Sequence, residues 1–105
     1  MAMTNITVVR IYVTEAEKHL KSVFRYLHDE AHVRGVTVFR GIEGFGKSGK
    51  VYSAGLVDLS TDLPLVVEFF DTPDRAAEIM EHLRTLVEAD HMICWSAMAD
   101  LSNKK

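Results

Sequence analysis

Two kinds of apolar spacing take turns along this chain, and their order leaves few folds open. ITVVRIYV (Ile6 to Val13), VTVFR (Val36 to Arg40), VYSAGLVDL (Val51 to Leu59), LPLVVEFF (Leu63 to Phe70) and MICWSAMA (Met92 to Ala99) carry the β-branched and aromatic residues of strands. Between the first and second of these, Ala16, Leu20, Val23, Phe24, Leu27 and Ala31 return at helical spacing, predicting a helix of about five turns that closes near Gly35. Thr14-Glu15-Ala16-Glu17 reads as its capping box. Ser60-Thr61-Asp62 reads as a turn. Thr72 is placed to cap a second helix with Pro73 in its first turn, and Ala76, Ile79, Met80, Leu83 and Val87 line one side of that helix. The order strand, helix, strand, long hairpin, strand, helix, strand is the split βαβ arrangement. The expected fold class is therefore α+β: a ferredoxin-like sandwich, with a mostly antiparallel sheet and two helices on one face. With no repeat, linker or low-complexity tract, residues 1–105 read as one domain.

Alternation then assigns faces. If Val9, Ile11 and Val13 point at the helices, Val8, Arg10 and Tyr12 point away, and Val66, Glu68 and Phe70 oppose Val67 and Phe69 in the same manner. The face turned from the helices is apolar as well, which is expected of a sheet that meets another chain. Arg10 and Glu68 fall on that face, on strands the topology makes neighbours. They either pair there or reach solvent at the sheet edge.

Between two of these strands lies GIEGFGKSGK, residues 41–50. From Gly44 it fits the opening of a P-loop, and its glycines also fit the dinucleotide fingerprint. The P-loop lysine must be followed by Ser or Thr, and Val51 follows Lys50. Both motifs need a helix to open at the glycines, because helix N-terminal amides hold the phosphates, and here a strand follows. Both standard cradles are excluded. What is left is a flexible loop with Lys47, Lys50 and many free amides, which can wrap an anion as a nest.

A chain of 105 residues buries roughly 65% of its unfolded surface, enough to fold alone. Net charge is −3 with a sequence pI near 5.9 and no basic stripe, which argues against nucleic-acid binding. The single Cys94 cannot form an internal disulfide, and no apolar run approaches the ~20 residues of a membrane span. With no signal-peptide pattern at the start, the expected address is cytoplasmic, without direct membrane insertion.

Catalytic readings are weaker than structural ones. His28 and His32 stand one helical turn apart, as metal ligands can, but HDEAH is not the H-E-x-x-H motif and they lie off the Leu20, Phe24, Leu27 stripe, so they are expected to face solvent. Cys94 and His91 fall on opposite faces of a strand, and Cys94 is expected to be a buried structural residue. Glu43 can be a base beside a phosphate or, more simply, a carboxylate that supports its loop. Met80, Met92 and Met98 are expected to fill the core.

RIYVTE at 10–15, TVFRGIEGFG at 37–46 and DLPLVVEFFDTPD at 62–74 resemble, in the same order and spacing, the PII-like family of the domain of unknown function 190. The resemblance covers nearly the whole chain. It implies a ferredoxin-like subunit of a homotrimer of the PII and CutA superfamily, open sheet faces turned inward. It also implies that GIEGFGKSGK is the base of a T-loop, the segment with which PII proteins contact partners, at the mouth of clefts that hold adenine nucleotides. Genes of this family often lie beside fluoride-channel genes, so an unknown partner, a membrane transporter or channel among the candidates, is implied too. Some features depart from the pattern. PII proteins carry a second glycine-rich loop between the last helix and strand, where this chain reads VEADHMIC, Val87 to Cys94, without glycine. Tyr52 stands where relatives carry a histidine, and the last strand, with Cys94 and Trp95, matches the pattern poorly.

The resulting expectation is a PII-like signalling protein without catalysis or resident cofactor. An anionic small molecule, with ATP, ADP or AMP the first choice, would order the glycine loop through Arg40, Gly41, Glu43, Gly44, Phe45, Gly46, Lys47, Ser48 and Lys50 and so change what a partner sees. Gly46 is expected to need positive φ. The alternative is a metal-binding or purely structural CutA-like trimer.

Overall fold

A computed structural model describes residues 2–14, 19–46, 49–53 and 63–101. The expected capping-box residues Glu15 to Glu17, the expected continuation of the third strand beyond Ser53, the Ser60–Asp62 turn, and Lys47 and Ser48 lie outside the described residues.

Strand β1 (Thr4–Thr14) leads to a short helix α1 (His19–Arg25) and then to β2 (Val36–Arg40), β3 (Glu43–Phe45), β4 (Val51–Ser53), β5 (Pro64–Asp71), α2 (Pro73–Leu83) and β6 (Met92–Ala99). The main sheet has the order β2-β5-β1-β6, with every neighbouring pair antiparallel, while β3 and β4 form a separate hairpin. This is the expected α+β ferredoxin-like arrangement. It follows from the two strand–helix–strand units, each of which returns its second strand to the same sheet with its helix on the same side.

The core lies between sheet and helices. Val9, Ile11 and Val13 of β1 and Leu65, Val67 and Phe69 of β5 meet Val23 and Leu27 of the first helical segment and Ala76, Ile79 and Leu83 of α2, all buried. Full burial of a Val, Leu, Ile or Phe side chain is worth about 1.5–3 kcal/mol, so this cluster is the principal source of stability. The alternation read from the sequence holds: Val66, Glu68 and Phe70 are on the other face, half-buried, with Tyr12 exposed beside them. Met80 and Met92 pack partly against the cluster as expected.

Several local expectations are corrected. The first helix does not run to Gly35. It passes at Tyr26 into a π-helical turn, Tyr26–Glu30, and closes at His32, whose φ is 51°. Ala31 N donates to Tyr26 O at 2.9 Å and Val33 N to Leu27 O at 3.2 Å, so the last carbonyls are taken up before the glycine is reached. Histidine tolerates the left-handed region better than most non-glycine residues, which lets position 32 do what Gly35 was expected to do. Phe24 is 42% exposed because Val23 and Leu27 occupy the inward row, leaving Phe24 on the flank. Cys94 and Met98 are exposed, not core: β6 is the sheet's outer strand, and the helices cover the middle of the sheet. Thr72 is the N-cap of α2 but makes no side-chain cap bond. The preceding Asp71 supplies it instead, its Oδ1 accepting from Thr72 N at 2.8 Å.

Asp71 is buried at 4% exposure, and its other oxygen accepts from Arg75 Nε at 3.1 Å. The same guanidinium donates to Ala31 O at 2.5 Å. One arginine thus ties the start of α2 to the end of the π-helical turn. The stacked rings of Tyr26 and His82, centroids 4.0 Å apart, make a second tie between the two helical segments.

Candidate functional site

The glycine-rich segment is more structured than a bare loop. Arg40 ends β2 opposite Leu65, and the chain then turns against Pro64 at the head of β5. Gly41 N donates to Pro64 O at 2.7 Å. A Cβ on Gly41 would lie 2.9 Å from Pro64 Cγ, and one on Gly44 would lie 3.3 Å from the same atom. These two glycines let the backbone lie flush on the proline ring, and that contact sets the direction in which the hairpin leaves the sheet.

Beyond it Glu43, Gly44 and Phe45 pair with Ser53, Tyr52 and Val51, and Gly49 N donates to Gly46 O at 2.9 Å to close the tip. Positive φ is found at Gly49, at 78°, where a glycine suits the turn. Gly46 differs from its expectation: it lacks positive φ, and a Cβ there would meet no atom within 4 Å. The hairpin therefore gathers Arg40, Gly41, Glu43, Gly44, Phe45, Gly46 and Lys50 on one projecting ribbon, with Lys47 and Ser48 of the expected set lying outside the described residues. Arg40, Glu43 and Lys50 are exposed, and Phe45 is 75% exposed. An aromatic ring standing in solvent on a ribbon that also carries cationic residues is suited to stack on a planar ligand or to enter a partner's surface.

The open sheet face has a definite composition. In register across the strands, Thr37, Glu68, Arg10 and Ile93 form one row, with Phe39, Val66 and Tyr12 on one side of it and Phe70, Val8 and Trp95 on the other. Arg10 Nε donates to Glu68 Oε1 at 2.6 Å, and the guanidinium lies over the Trp95 ring, 5.4 Å from its centroid. The Glu68 hydrogen bond, and after it the Tyr12 hydroxyl, hold the Arg10 pKa above its ordinary value, so the charge is fixed. Of the two possibilities read from the sequence, pairing is the one found.

In the glycine-free connection before β6, Asp90 takes a φ of 72° and His91 O accepts from Tyr12 N at 2.8 Å, which extends the β1–β6 pairing. His28 and His32 are exposed as expected, with His28 Nδ1 2.6 Å from Asp29 Oδ1. Among the described residues no group of three or more His, Cys, Asp or Glu side chains is arranged to hold a metal ion.

Two adjoining concavities, of about 540 and 530 Å³, lie along the first helical segment, away from the hairpin. The first is lined by Leu20, Phe24 and Val38 with Lys21, Arg25, His28 and Asp29, and the second shares Phe24, His28 and Asp29 and reaches Arg34 and Val36. Sequence reasoning missed this groove by placing Phe24 in the core. The signal was present in two rows spaced by four, Leu20–Phe24–His28 and Lys21–Arg25–Asp29, which cannot all share the inward side with Val23 and Leu27.

A four-stranded antiparallel sheet with both helices on one face and a hairpin springing from β2 defines a PII-like or CutA-like ferredoxin fold. CPII bound to ADP and bicarbonate, from Thiomonas intermedia K12, superposes with a TM-score of 0.66 at 19% identity, covering 93% of this chain and 89% of that one. CutA1 from Oryza sativa superposes with a TM-score of 0.60 at 19% identity, covering 96% and 85%. The chain belongs to the DUF190 family, described as “Uncharacterized ACR”, whose model matches residues 6–99. It is 32% identical over 88 residues to a UPF0166 protein of Aquifex aeolicus (strain VF5), covering 80% of this chain and 84% of that protein. The family match spans the chain from β1 through β6. No helix among the described residues is long and apolar enough to cross a membrane.

Proposed function

We propose that this chain is a PII-like regulatory protein without catalysis, which assembles as a trimer through its open sheet face and senses an adenine nucleotide at the glycine hairpin. The observation that carries the reading is the hairpin itself: an exposed Phe45 on the same ribbon as Arg40 and Lys50, a ribbon whose exit from the sheet is set by the Gly41 and Gly44 contacts with Pro64. Its ring offers a stacking surface for a base, its cations and amides offer partners for phosphate, and its position at the sheet edge suits a site completed by a neighbouring subunit. The fold shared with CPII, a protein described as bound to ADP, supports the nucleotide as ligand.

The regulatory step is linkage. A ligand that contacts only one arrangement of the hairpin raises that arrangement's population by its differential affinity, and a partner protein that reads the hairpin responds to the shift. A cytoplasmic setting and a membrane transporter or channel as partner fit the same reading. The test is calorimetry with ATP, ADP, AMP and cyclic nucleotides beside a divalent-metal series. Saturable nucleotide heat is expected. Binding of metals alone would favour the second reading, a CutA-like metal-binding or structural trimer, which the likeness to CutA1 supports. Turnover of any nucleotide would contradict the absence of catalysis.

A further inference from the structure

The three most exposed large apolar side chains among the described residues all belong to the glycine hairpin and the turn that leads into it: Ile42 at 79%, Phe45 at 75% and Val51 at 57%. Apolar side chains scattered singly over a surface need no explanation, but three within residues 42–51 of one projecting ribbon do. Register gathers two of them. Phe45 and Val51 are partners across β3 and β4, so their side chains share one face of the ribbon. Gly44 falls on the other face, the one laid against Pro64, and the Phe45–Val51 face therefore looks away from the sheet.

Charge supplies the second half of the argument. Residues 40–53 carry three cations, Arg40, Lys47 and Lys50, against the one carboxylate of Glu43, on a chain whose net charge is −3. A charged surface responds to that sum rather than to any one side chain. The ribbon is thus drawn to an anionic surface that the rest of the protein does not favour. Area separates a lipid from a protein as occupant. A stable protein interface buries about 800 Å² on each side against a shaped counterpart. Three side chains on a ribbon two strands wide do not by themselves present that, whereas a bilayer interface needs no shaped counterpart and accepts apolar side chains flanked by cations.

We propose that the hairpin is a peripheral membrane contact, which seats Ile42, Phe45 and Val51 at the headgroup–acyl boundary of an anionic lipid surface while the cations of the ribbon meet the headgroups. The contact is interfacial, and no element crosses the bilayer. It needs no bound nucleotide and is tested without one, so its failure leaves the nucleotide reading untouched.

The probe is a pair of vesicle preparations, pure phosphatidylcholine and an equal mixture of phosphatidylcholine with phosphatidylglycerol, each sedimented with the whole chain. Binding to the anionic vesicles alone is expected, weakening as salt is raised. Phe45→Ser should lower the vesicle partition coefficient about tenfold, as loss of a buried aromatic ring does, and leave the melting temperature in place. In Phe45→Trp the added indole emission should shift to the blue on anionic vesicles and be quenched by brominated lipid chains, while the wild-type emission, which comes from Trp95, stays unchanged. Equal binding to neutral vesicles, or anionic binding that Phe45→Ser leaves unchanged, overturns the proposal. Binding to neither preparation overturns it and leaves the tip to a protein partner. A fall in assembled mass on Phe45→Ser overturns it as well, because the ring would then belong to a contact between copies of the chain.

Discussion

Arg10 and Glu68 stand directly opposite each other on β1 and β5, and their side chains close a 2.6 Å ion pair in the middle of a mostly apolar sheet face. In the single chain both are partly exposed, 38% and 29% by side chain. A pair so exposed is screened by solvent and contributes little to stability. If neighbouring subunits covered it, the same pair would behave differently, since removing one partner would strand a charge in an interface.

That difference makes Glu68→Gln a test of assembly. Under the trimer the substitution should lower the melting temperature strongly, more so on dilution, and the loss should be largely recovered when Arg10 is replaced by Met in the same chain. A shift that is small and independent of protein concentration would place this face in solvent. Light scattering of the wild type should give three times the 11.8 kDa chain mass.

Asp71 and Thr72 separate two kinds of cap. Asp71→Ala should cost about 2–4 kcal/mol, because it removes a buried acceptor that satisfies a helix-start amide and the Arg75 guanidinium together. Thr72→Ala should change stability by less than about 0.5 kcal/mol, since the Thr72 side chain makes no cap bond. Chemical denaturation of the two variants checks the order, and a larger loss for Thr72 would contradict it.

The glycines of the hairpin should not respond alike. Gly41→Ala pushes a methyl into Pro64 and should alter the hairpin's exit from the sheet. Gly49→Ala meets a φ of 78° and should cost about 1 kcal/mol. Gly46→Ala has room and ordinary φ, so its backbone should accept the change. Amide chemical shifts of residues 41–45 and 63–66 in each variant provide the measurement, with a large perturbation expected for Gly41→Ala alone.

Burial, with Glu30 adding to it, holds the Tyr26 phenol above its ordinary pKa of 10.0. The folded state therefore favours the protonated form. This contribution to stability is complete below the unfolded pKa and is lost as pH rises through the folded one. Denaturation midpoints should be insensitive to Tyr26 up to about pH 9.5 and fall above it, and Tyr26→Phe should remove the part of that fall due to this group.

The fold was legible because strand alternation and helix spacing are local, and each agrees with the core found: Val9, Ile11, Val13, Val67 and Phe69 inward, Ala76, Ile79 and Leu83 beneath them. The Arg10–Glu68 pair was legible as a juxtaposition, since register follows once the strand order is known. What sequence could not show depends on three-dimensional closeness. Gly41 and Gly44 matter because Pro64 is against them, a neighbour distant in the chain. Cys94 and Met98 are exposed because they lie on an edge strand, and alternation does not distinguish edge from centre. His32 in place of Gly35 and the π-helical turn before it reflect a local closure that helical periodicity treats as equivalent.

The measurement that bears most directly on the central claim is hydrogen exchange of the intact protein with and without ADP, resolved to short segments. Slower exchange concentrated in residues 41–53, with saturation as ADP is raised, is the predicted result. Unchanged exchange of that hairpin at millimolar ADP, whether or not protection arises elsewhere in the chain, would contradict it.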